Sequence, residues 1–128
     1  MKHKLLLIIA ITSLFFSCSK DEGYGGLASI TGRVFGKDFN TSGDLVSEDY
    51  LGGVKVYIAA HGSNSSFDSV DSSYDGTFRF EYLHEGKYDI WIFGDCDSCS
   101  WDQTYELRTI EISSKRSSVI MEDIIITF

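Results

Sequence analysis

The sequence predicts an all-β protein, a β-sandwich of seven short strands. Three observations lead to this prediction. No stretch after Ala28 shows helical periodicity, short apolar runs alternate with clusters of Gly, Asp, Asn and Ser, and apolar residues within the runs often occupy every second position. Short strands separated by regular turn signals are typical of a sandwich. The predicted strands are Ala28–Phe35, Gly53–Ala60, Ser69–Ser73, Thr77–Tyr82, Lys87–Gly94, Thr104–Ile112 and Ser118–Phe128.

The alternation within each run predicts which side chains enter the core. In the fifth strand, Trp91 and Phe93 face away from the set that begins with Tyr88. In the last strand the alternation changes near Glu122 and Asp123, which predicts a bulge there. The residues predicted to face inward are Ile30, Val34, Val54, Val56, Ile58, Phe78, Phe80, Tyr88, Ile90, Ile92, Val119, Met121, Ile124, Ile126 and Phe128.

Three segments between these strands are predicted turns or loops. Asp75-Gly76 is a strong hairpin signal, because Gly tolerates the positive φ that a type I′ turn needs. His84–Gly86 predicts a second turn ahead of the fifth strand. Asn40–Tyr50 is polar and acidic, and it is predicted to be the longest loop of the domain.

Length and charge restrict the class of protein. The 128 residues suit one domain, and 11 basic against 19 acidic side chains give a formal net charge of −8. Such a charge repels phosphate backbones, so no nucleic-acid partner is expected. The acidic excess is the usual aid to solubility, and a cationic partner or a divalent ion is the alternative.

The first 17 residues have the pattern of an export signal. Early lysines precede the apolar run Leu5–Phe16. As a helix this run would span only about 18 Å, well short of the roughly 30 Å hydrocarbon core, so it predicts a signal peptide. Its end, Ser17-Cys18, resembles the lipobox of bacterial lipoproteins, although Phe15 stands where Leu is commoner. The resemblance predicts that Cys18 is the lipidated first residue of the mature chain. An ordinary secretory signal cut near Ser17 is the alternative.

The segment after Cys18 predicts a tether and a location. Ser19–Glu22 resembles the surface-export tag of some gram-negative outer-membrane lipoproteins, and a solvated linker is the alternative reading. Gly23–Gly26 predicts a flexible tether. We therefore divide the chain into a signal peptide at 1–17, a lipidated tether at 18–27 and a sandwich domain at 28–128. The expected location is the bacterial cell envelope, as an outer-membrane lipoprotein whose exposure at the cell surface stays open.

Four segments carry a family resemblance: Ile30–Val34, Leu51–Val56, Ser73–Phe80 and Leu83–Ile90. Together they resemble the carboxypeptidase regulatory-like domain, a prealbumin (transthyretin-like) β-sandwich, and the collagen-adhesin B-type repeats look similar. The resemblance covers residues 28–128 and implies a seven-stranded Greek-key sandwich. It also implies a non-catalytic module that acts as a spacer, stabiliser or binding platform. The chain lacks the proline often found in the turn before Gly86.

Two cysteines and three acids mark the loop after the fifth strand. Cys96 and Cys99 predict a disulfide, because the exported compartment is oxidising. Free thiols, or redox or metal chemistry, are the alternatives, and a redox pair would need a helix N-terminus that the sequence does not predict. Asp95, Asp97 and Asp102 form a weak calcium candidate, and otherwise no metal or cofactor is expected.

Four aromatic residues are the candidate ligand-binding residues: Trp91, Phe93, Trp101 and Tyr105. Exposed rings at a strand end stack on sugars or receive a partner protein. We expect instead that both faces of the fifth strand are covered, one by the second sheet and the other by the Cys96–Trp101 loop. Exposure of the rings remains the alternative.

No constellation of catalytic residues is recognisable in the sequence. It has no Ser-His-Asp spacing, no Gly-x-Ser-x-Gly elbow and no His-Glu-x-x-His, so we expect no enzyme. The expected function is a lipid-anchored structural or accessory module of the cell envelope. The alternative is a surface module that binds a glycan or an envelope protein through the aromatic residues and the Cys96–Cys99 loop.

Overall fold

The computed structural model of the chain describes residues 21–96 and 99–128, and these form an all-β fold. Nine strands lie within the described residues. They are β1 (Tyr24–Phe39), β2 (Leu45–Tyr50), β3 (Lys55–Ala60), β4 (Asp68–Asp71), β5 (Thr77–Leu83), β6 (Gly86–Asp95), β7 (Gln103–Ile112), β8 (Ser118–Ile120) and β9 (Ile124–Thr127). In this part of the chain no helix is long and apolar enough to cross a membrane.

The strands form two sheets that pack face to face as a β-sandwich, which confirms the predicted all-β class. In the first sheet β1 is central. It pairs antiparallel with β5 and β2 along one side, and parallel with β8 and β9 along the other. The second sheet has the antiparallel order β4-β3-β6-β7.

The core lies between the sheets and consists mainly of the side chains that alternation assigned to it, with Ala28, Leu83 and Ile112 in addition. Large apolar side chains each contribute about 1.5–3 kcal/mol when fully buried. Phe128 is an exception, because it lies exposed at the end of the chain, and Val54 and Val119 are only half-buried. The buried cluster is Ala28, Ile30, Val34, Val56, Ile58, Phe78, Phe80, Leu83, Tyr88, Ile90, Ile92, Ile112, Met121, Ile124 and Ile126.

The first strand begins earlier than predicted, so the tether assigned to residues 18–27 is wrong in its last part. β1 starts at Tyr24 and pairs with Leu83 of β5. The Gly23 N–H donates to the Tyr88 hydroxyl at 2.9 Å, and the Gly23 carbonyl accepts from the His84 N–H at 2.9 Å. The glycines therefore belong to the folded domain, since tertiary hydrogen bonds fix a segment whose composition is typical of a linker.

The predicted loop Asn40–Tyr50 is also wrong, because its second half is the edge strand β2. Its side chains are exposed up to Tyr50, so no pattern of buried residues announces this strand. Backbone pairing with β1 and the Tyr50 ring hold it. That ring meets Phe35 edge-on at 5.1 Å and lies under the Arg33 guanidinium at 3.4 Å, and its hydroxyl donates to Asp123 at 2.9 Å.

Two further predictions need correction. Asp75-Gly76 makes a turn, with the Gly76 N–H donating to the Ser73 carbonyl at 2.8 Å. Only Gly76 of the pair has a positive φ, so the turn is not type I′, and it joins strands of different sheets rather than a hairpin. The predicted last strand is two strands, β8 and β9, separated at the position where the bulge was expected.

Candidate functional site

The outer face of the second sheet presents an aromatic surface to solvent. Trp91 and Phe93 of β6 point outward because their neighbours in β6 fill the core. Cross-strand register sets Trp91 between Tyr57 of β3 and Leu107 of β7, and sets Phe93 beside Tyr105. We call these five residues, Tyr57, Trp91, Phe93, Tyr105 and Leu107, the aromatic face.

Contacts between the rings fix the centre of the aromatic face. Tyr57 stacks on Trp91 with centroids 5.6 Å apart and planes inclined by 10°. Phe93 meets Tyr57 edge-on at 5.7 Å. Each such pair contributes about 0.5–1.5 kcal/mol beyond the burial of area. These rings therefore form a surface that is organised before any ligand arrives.

The described residues of the Cys96–Trp101 loop do not cover this face, which corrects our expectation. Phe93 is 45% exposed and Tyr105 is 62% exposed. Trp101 is 93% exposed, so both faces of its indole ring are open to solvent. Of the four sequence-predicted residues, only Trp91 is half-buried. The structure thus places Trp91, Phe93 and Tyr105 on one open surface, with Trp101 in the loop that joins their two strands.

The loop that carries Trp101 is closed by the predicted disulfide. The Cys96 and Cys99 sulfur atoms are bonded, with Cα atoms 5.4 Å apart. The structure therefore has the predicted disulfide rather than the alternative of two free thiols. The Cys96 N–H donates to the Asp102 carbonyl at 3.1 Å, and the Asp102 N–H donates to the Cys99 carbonyl at 3.2 Å. Trp101 and Asp102 have φ values of 66° and 55°, a conformation that costs about 1–3 kcal/mol per residue and persists only where its surroundings enforce it.

A buried carboxylate borders the aromatic face at the opposite end. Asp89 accepts hydrogen bonds from His61 Nδ1 at 2.8 Å, from Thr109 Oγ1 at 2.8 Å and from the Gly62 N–H at 3.1 Å. Burial raises the pKa of Asp89, but the bonds from His61, Thr109 and Gly62 outweigh it and leave this pKa below its usual value. The Asp89 carboxylate thus joins the loop after β3 to β6 and β7, the strands that carry most of the aromatic face.

Sequence reasoning missed three members of this region. Tyr57 could have been found, because it alternates with the core residues of its own strand. Asp89 alternates with the core residues of β6 in the same way, but only the register of β6 with its neighbours brings Leu107 beside Trp91 and Thr109 beside Asp89. The structure also gives His61, which follows β3, a buried partner in Asp89.

The structure gives less support to the other sites predicted from the sequence. Asp95 and Asp102 lie at the ends of the disulfide loop, but Asp97 lies outside the described residues, as does Cys18. Among the residues described, no group of three His, Cys, Asp or Glu side chains is placed to hold a metal ion. A recess of about 190 Å³ on the first sheet is lined by none of the residues predicted for a disulfide, a ligand or a metal ion. Its lining is Leu27, Ala28, Ser29, Arg79, Glu81, Tyr82 and Ser118.

Comparisons with known proteins return little. No family model matches the chain, and no curated protein matches it. One solved structure that resembles it is a crystal structure from Pseudomonas aeruginosa, provisionally described as a carbohydrate binding protein. The two chains are 12% identical with a TM-score of 0.46, over 83% of this chain and 91% of the other.

Proposed function

We propose that this chain is a non-catalytic accessory module of the bacterial cell envelope that is held at a membrane by a lipidated Cys18 and binds an uncharged carbohydrate. The aromatic face carries the ligand part of this proposal. Contacts among Tyr57, Trp91 and Phe93 hold these three rings in place, and Phe93 and Tyr105 are exposed to solvent. Exposed apolar surface of this kind marks a binding site more often than it serves stability.

The chemistry of the face favours a carbohydrate over other small ligands. The face of an aromatic ring carries partial negative charge and attracts the C–H groups of a sugar. Trp101 and Tyr105 are the most exposed rings here and offer such faces. Asp95 and Gln103, paired across β6 and β7 between Phe93 and the disulfide loop, supply hydrogen-bonding groups beside them. The net charge of −8 repels anionic polymers, so the carbohydrate is an uncharged one.

The entry of the chain into the fold and the disulfide loop lie toward opposite ends of β6. The chain enters the fold at Gly23, against His84 and Tyr88. The five residue-to-residue steps from Cys18 to Gly23 span at most about 18 Å when fully extended. From Gly86, beside this entry, β6 runs about 30 Å to Asp95 at the base of the disulfide loop. A lipid at Cys18 would therefore hold the entry close to the membrane and direct Trp101 away from it.

We further propose that the sandwich is a Greek-key fold of the prealbumin type, related to the carboxypeptidase regulatory-like domain. Support comes from the placement of the resembling segments. Ile30–Val34 lies in β1, the Gly76 turn precedes β5, and Tyr88 and Ile90 of β6 enter the core beside Phe80. In such a module the fold supplies a rigid support, and function resides in what the surface carries.

A glycan array tests the ligand proposal. The chain from Ser19 onward contains every described core residue and serves as the probe. We expect the wild-type chain to bind uncharged glycans. Trp101→Ala and Tyr105→Ala should each abolish this binding. The matched control is Tyr74→Ala, because Tyr74 is 94% exposed but lies in the turn before β5. Retention of a glycan by Trp101→Ala, or loss with Tyr74→Ala, would contradict the proposal. Capture of an envelope protein without any glycan would favour a protein partner.

Metabolic labelling with a fatty acid tests the anchor separately. The full chain expressed in a gram-negative host should acquire label in the membrane fraction. Cys18→Ala should lose the label and appear in the soluble periplasmic fraction. Equal labelling of the two forms would refute lipidation at Cys18 without affecting the ligand proposal.

A further inference from the structure

The outer edge of β7 is a long and regular strand edge that carries no partner among the described residues. β7 runs for ten residues, Gln103–Ile112, in unbroken register with β6, and β6 is its only neighbour in the sheet. It contains no Pro or Gly and no bulge. An edge of this kind offers its backbone groups to another strand.

The backbone groups that face this edge follow from the alternation of the ladder. The Lys87 carbonyl accepts from the His61 N–H at 3.0 Å, so odd-numbered residues of β6 point their N–H and C=O toward β3. Even-numbered residues of β6 therefore point theirs toward β7. By the register of β6 with β7, the odd-numbered residues of β7 turn their N–H and C=O outward. Leu107 lies at the middle of this outward-facing set.

Two opposite charges flank Leu107 on the inner side of the edge. Glu106 and Arg108 form an ion pair at 3.1 Å. The Arg108 side chain also donates to the Leu107 carbonyl at 3.0 Å, which fits a carbonyl that points away from β6. In antiparallel pairing of two identical strands, residues equally distant from the two-fold axis lie opposite each other. With the axis at Leu107, Glu106 of each copy lies opposite Arg108 of the other.

We propose that β7 pairs antiparallel with β7 of a second copy of this chain, on a two-fold axis through Leu107. The two Leu107 residues then exchange backbone hydrogen bonds, and Tyr105 exchanges them with Thr109 of the second copy. Glu106 and Arg108 meet in the closer, non-hydrogen-bonded positions of the ladder, where cross-strand side chains interact most strongly. The one ion pair within each chain is replaced by two ion pairs between the two chains.

The charges select this register over its neighbours. An axis at Glu106 or at Arg108 would set like charges against each other. An axis at Tyr105 would set Glu106 against Thr104, and an axis at Thr109 would set Arg108 against Ile110. Like charges directly opposite are destabilising in a sheet, so the pattern of charges in β7 defines a single partner alignment.

The dimer would join two aromatic faces into one surface. The four-stranded sheets of the two copies become a single eight-stranded sheet. On its outer side Leu107 lies next to Leu107 of the second copy, with Trp91 adjacent in each chain. A ligand at the axis would contact residues of both copies. This inference rests on the edge and its charges, so it stands whether or not the ligand is a carbohydrate.

Charge reversal tests both the dimer and its register. In analytical ultracentrifugation we expect the wild-type chain from Ser19 onward to sediment as a dimer. E106K and R108E should each sediment as a monomer. When the two variants are mixed they should form a dimer, because one chain then presents two positive charges to two negative charges. R79E is the matched control. Its partner Glu81 lies at the same spacing in β5, at 2.8 Å, so the dimer should persist.

Cysteine trapping gives a second measurement that does not depend on charge. Residues opposite each other in a hydrogen-bonded pair have Cα atoms about 5.5 Å apart, within the range of a disulfide. Leu107→Cys should therefore form a covalent dimer under mild oxidation, and Thr109→Cys should not. A monomeric wild-type chain would overturn the proposal, and Glu106 and Arg108 would then guard the edge against association. Failure of mixed E106K and R108E to associate would overturn the register.

Discussion

The Asp89→Asn substitution removes a charge from a buried site while leaving its shape almost unchanged. Asp89 is 8% exposed, and its carboxylate accepts from His61, Gly62 and Thr109. An amide presents one acceptor oxygen and one donor nitrogen. At least one of the three donors therefore loses its acceptor, and the remaining bonds end on a neutral oxygen.

The expected cost follows from these bonds. A hydrogen bond to a charged group contributes about 1.5–3 kcal/mol, and one to a neutral group about 1 kcal/mol. Loss of one charged bond and weakening of two others predicts a decrease of about 3 kcal/mol in the free energy of unfolding. For a domain of this size the melting temperature should fall by about 12 °C, at about 4 °C per kcal/mol.

The effect should depend on pH in a defined direction. The pKa of Asp89 lies below its usual value in the folded chain, despite the opposing effect of burial. In the unfolded chain it is near the ordinary value of about 3.9. The carboxylate therefore stabilises the fold fully above about pH 5, and this contribution is lost as the pH falls through the folded pKa. The difference between wild type and Asp89→Asn should shrink below about pH 4.

Urea denaturation followed by circular dichroism measures both effects. Asp71→Asn is the matched control, because it makes the same chemical change on the same face of the same sheet. The Asp71 side chain is 62% exposed and pairs with Lys55 at 3.4 Å, so its loss should cost no more than about 0.5 kcal/mol. If Asp89→Asn behaves like Asp71→Asn near neutral pH, or if its deficit persists undiminished in acid, our account of this carboxylate is wrong.

Three other predictions test contacts elsewhere in the fold. Tyr88→Phe should lower the free energy of unfolding by about 1–2 kcal/mol and speed hydrogen exchange at Tyr24, because Gly23 loses its anchor. Unchanged exchange would contradict this. Gly32→Ala should cost about 1–3 kcal/mol in chemical denaturation, since a Cβ there would lie 2.5 Å from Phe78. An unaltered midpoint would show that the core has room. Burial, the hydrogen bond to Asp68 and its charge raise the pKa of Tyr24 to about 12. Its neutral form stabilises the fold up to about pH 10, and this is lost as the pH rises through 12. In an ultraviolet titration of tyrosine ionisation, wild type and Tyr24→Phe should therefore give the same curve up to about pH 10. Wild type should show one additional ionising tyrosine only in strong alkali.

Some of the candidate site was predictable because its signals are local. Trp91 and Phe93 were assigned to the face opposite the core residues of β6, and the structure places them there. Cys96 and Cys99 are close in the chain, and they are bonded as predicted. Both predictions depend on a few consecutive residues, so nothing elsewhere in the fold had to be known.

Other parts could not be predicted because distant residues create them. β2 is exposed, and only pairing with β1 makes it a strand. The residues before Ala28 have the composition of a linker, yet β5 and the Tyr88 hydroxyl hold them in the sheet. The turn at Asp75-Gly76 was recognised from its residues, but the sheet that each flanking strand joins depends on the whole core.

By itself, the sequence determined the all-β class, most of the inward set of side chains and the disulfide, because period-two alternation and short covalent loops are properties of neighbouring residues. It also carried the signal and anchor prediction, which concerns residues outside the described part of the chain. Only the tertiary structure decided that the rings of β6 stay open, that Asp89 has three donors, and that β7 is an edge. Register and sheet order bring together residues far apart in the chain, and these depend on the free energy of the complete fold rather than on any one segment.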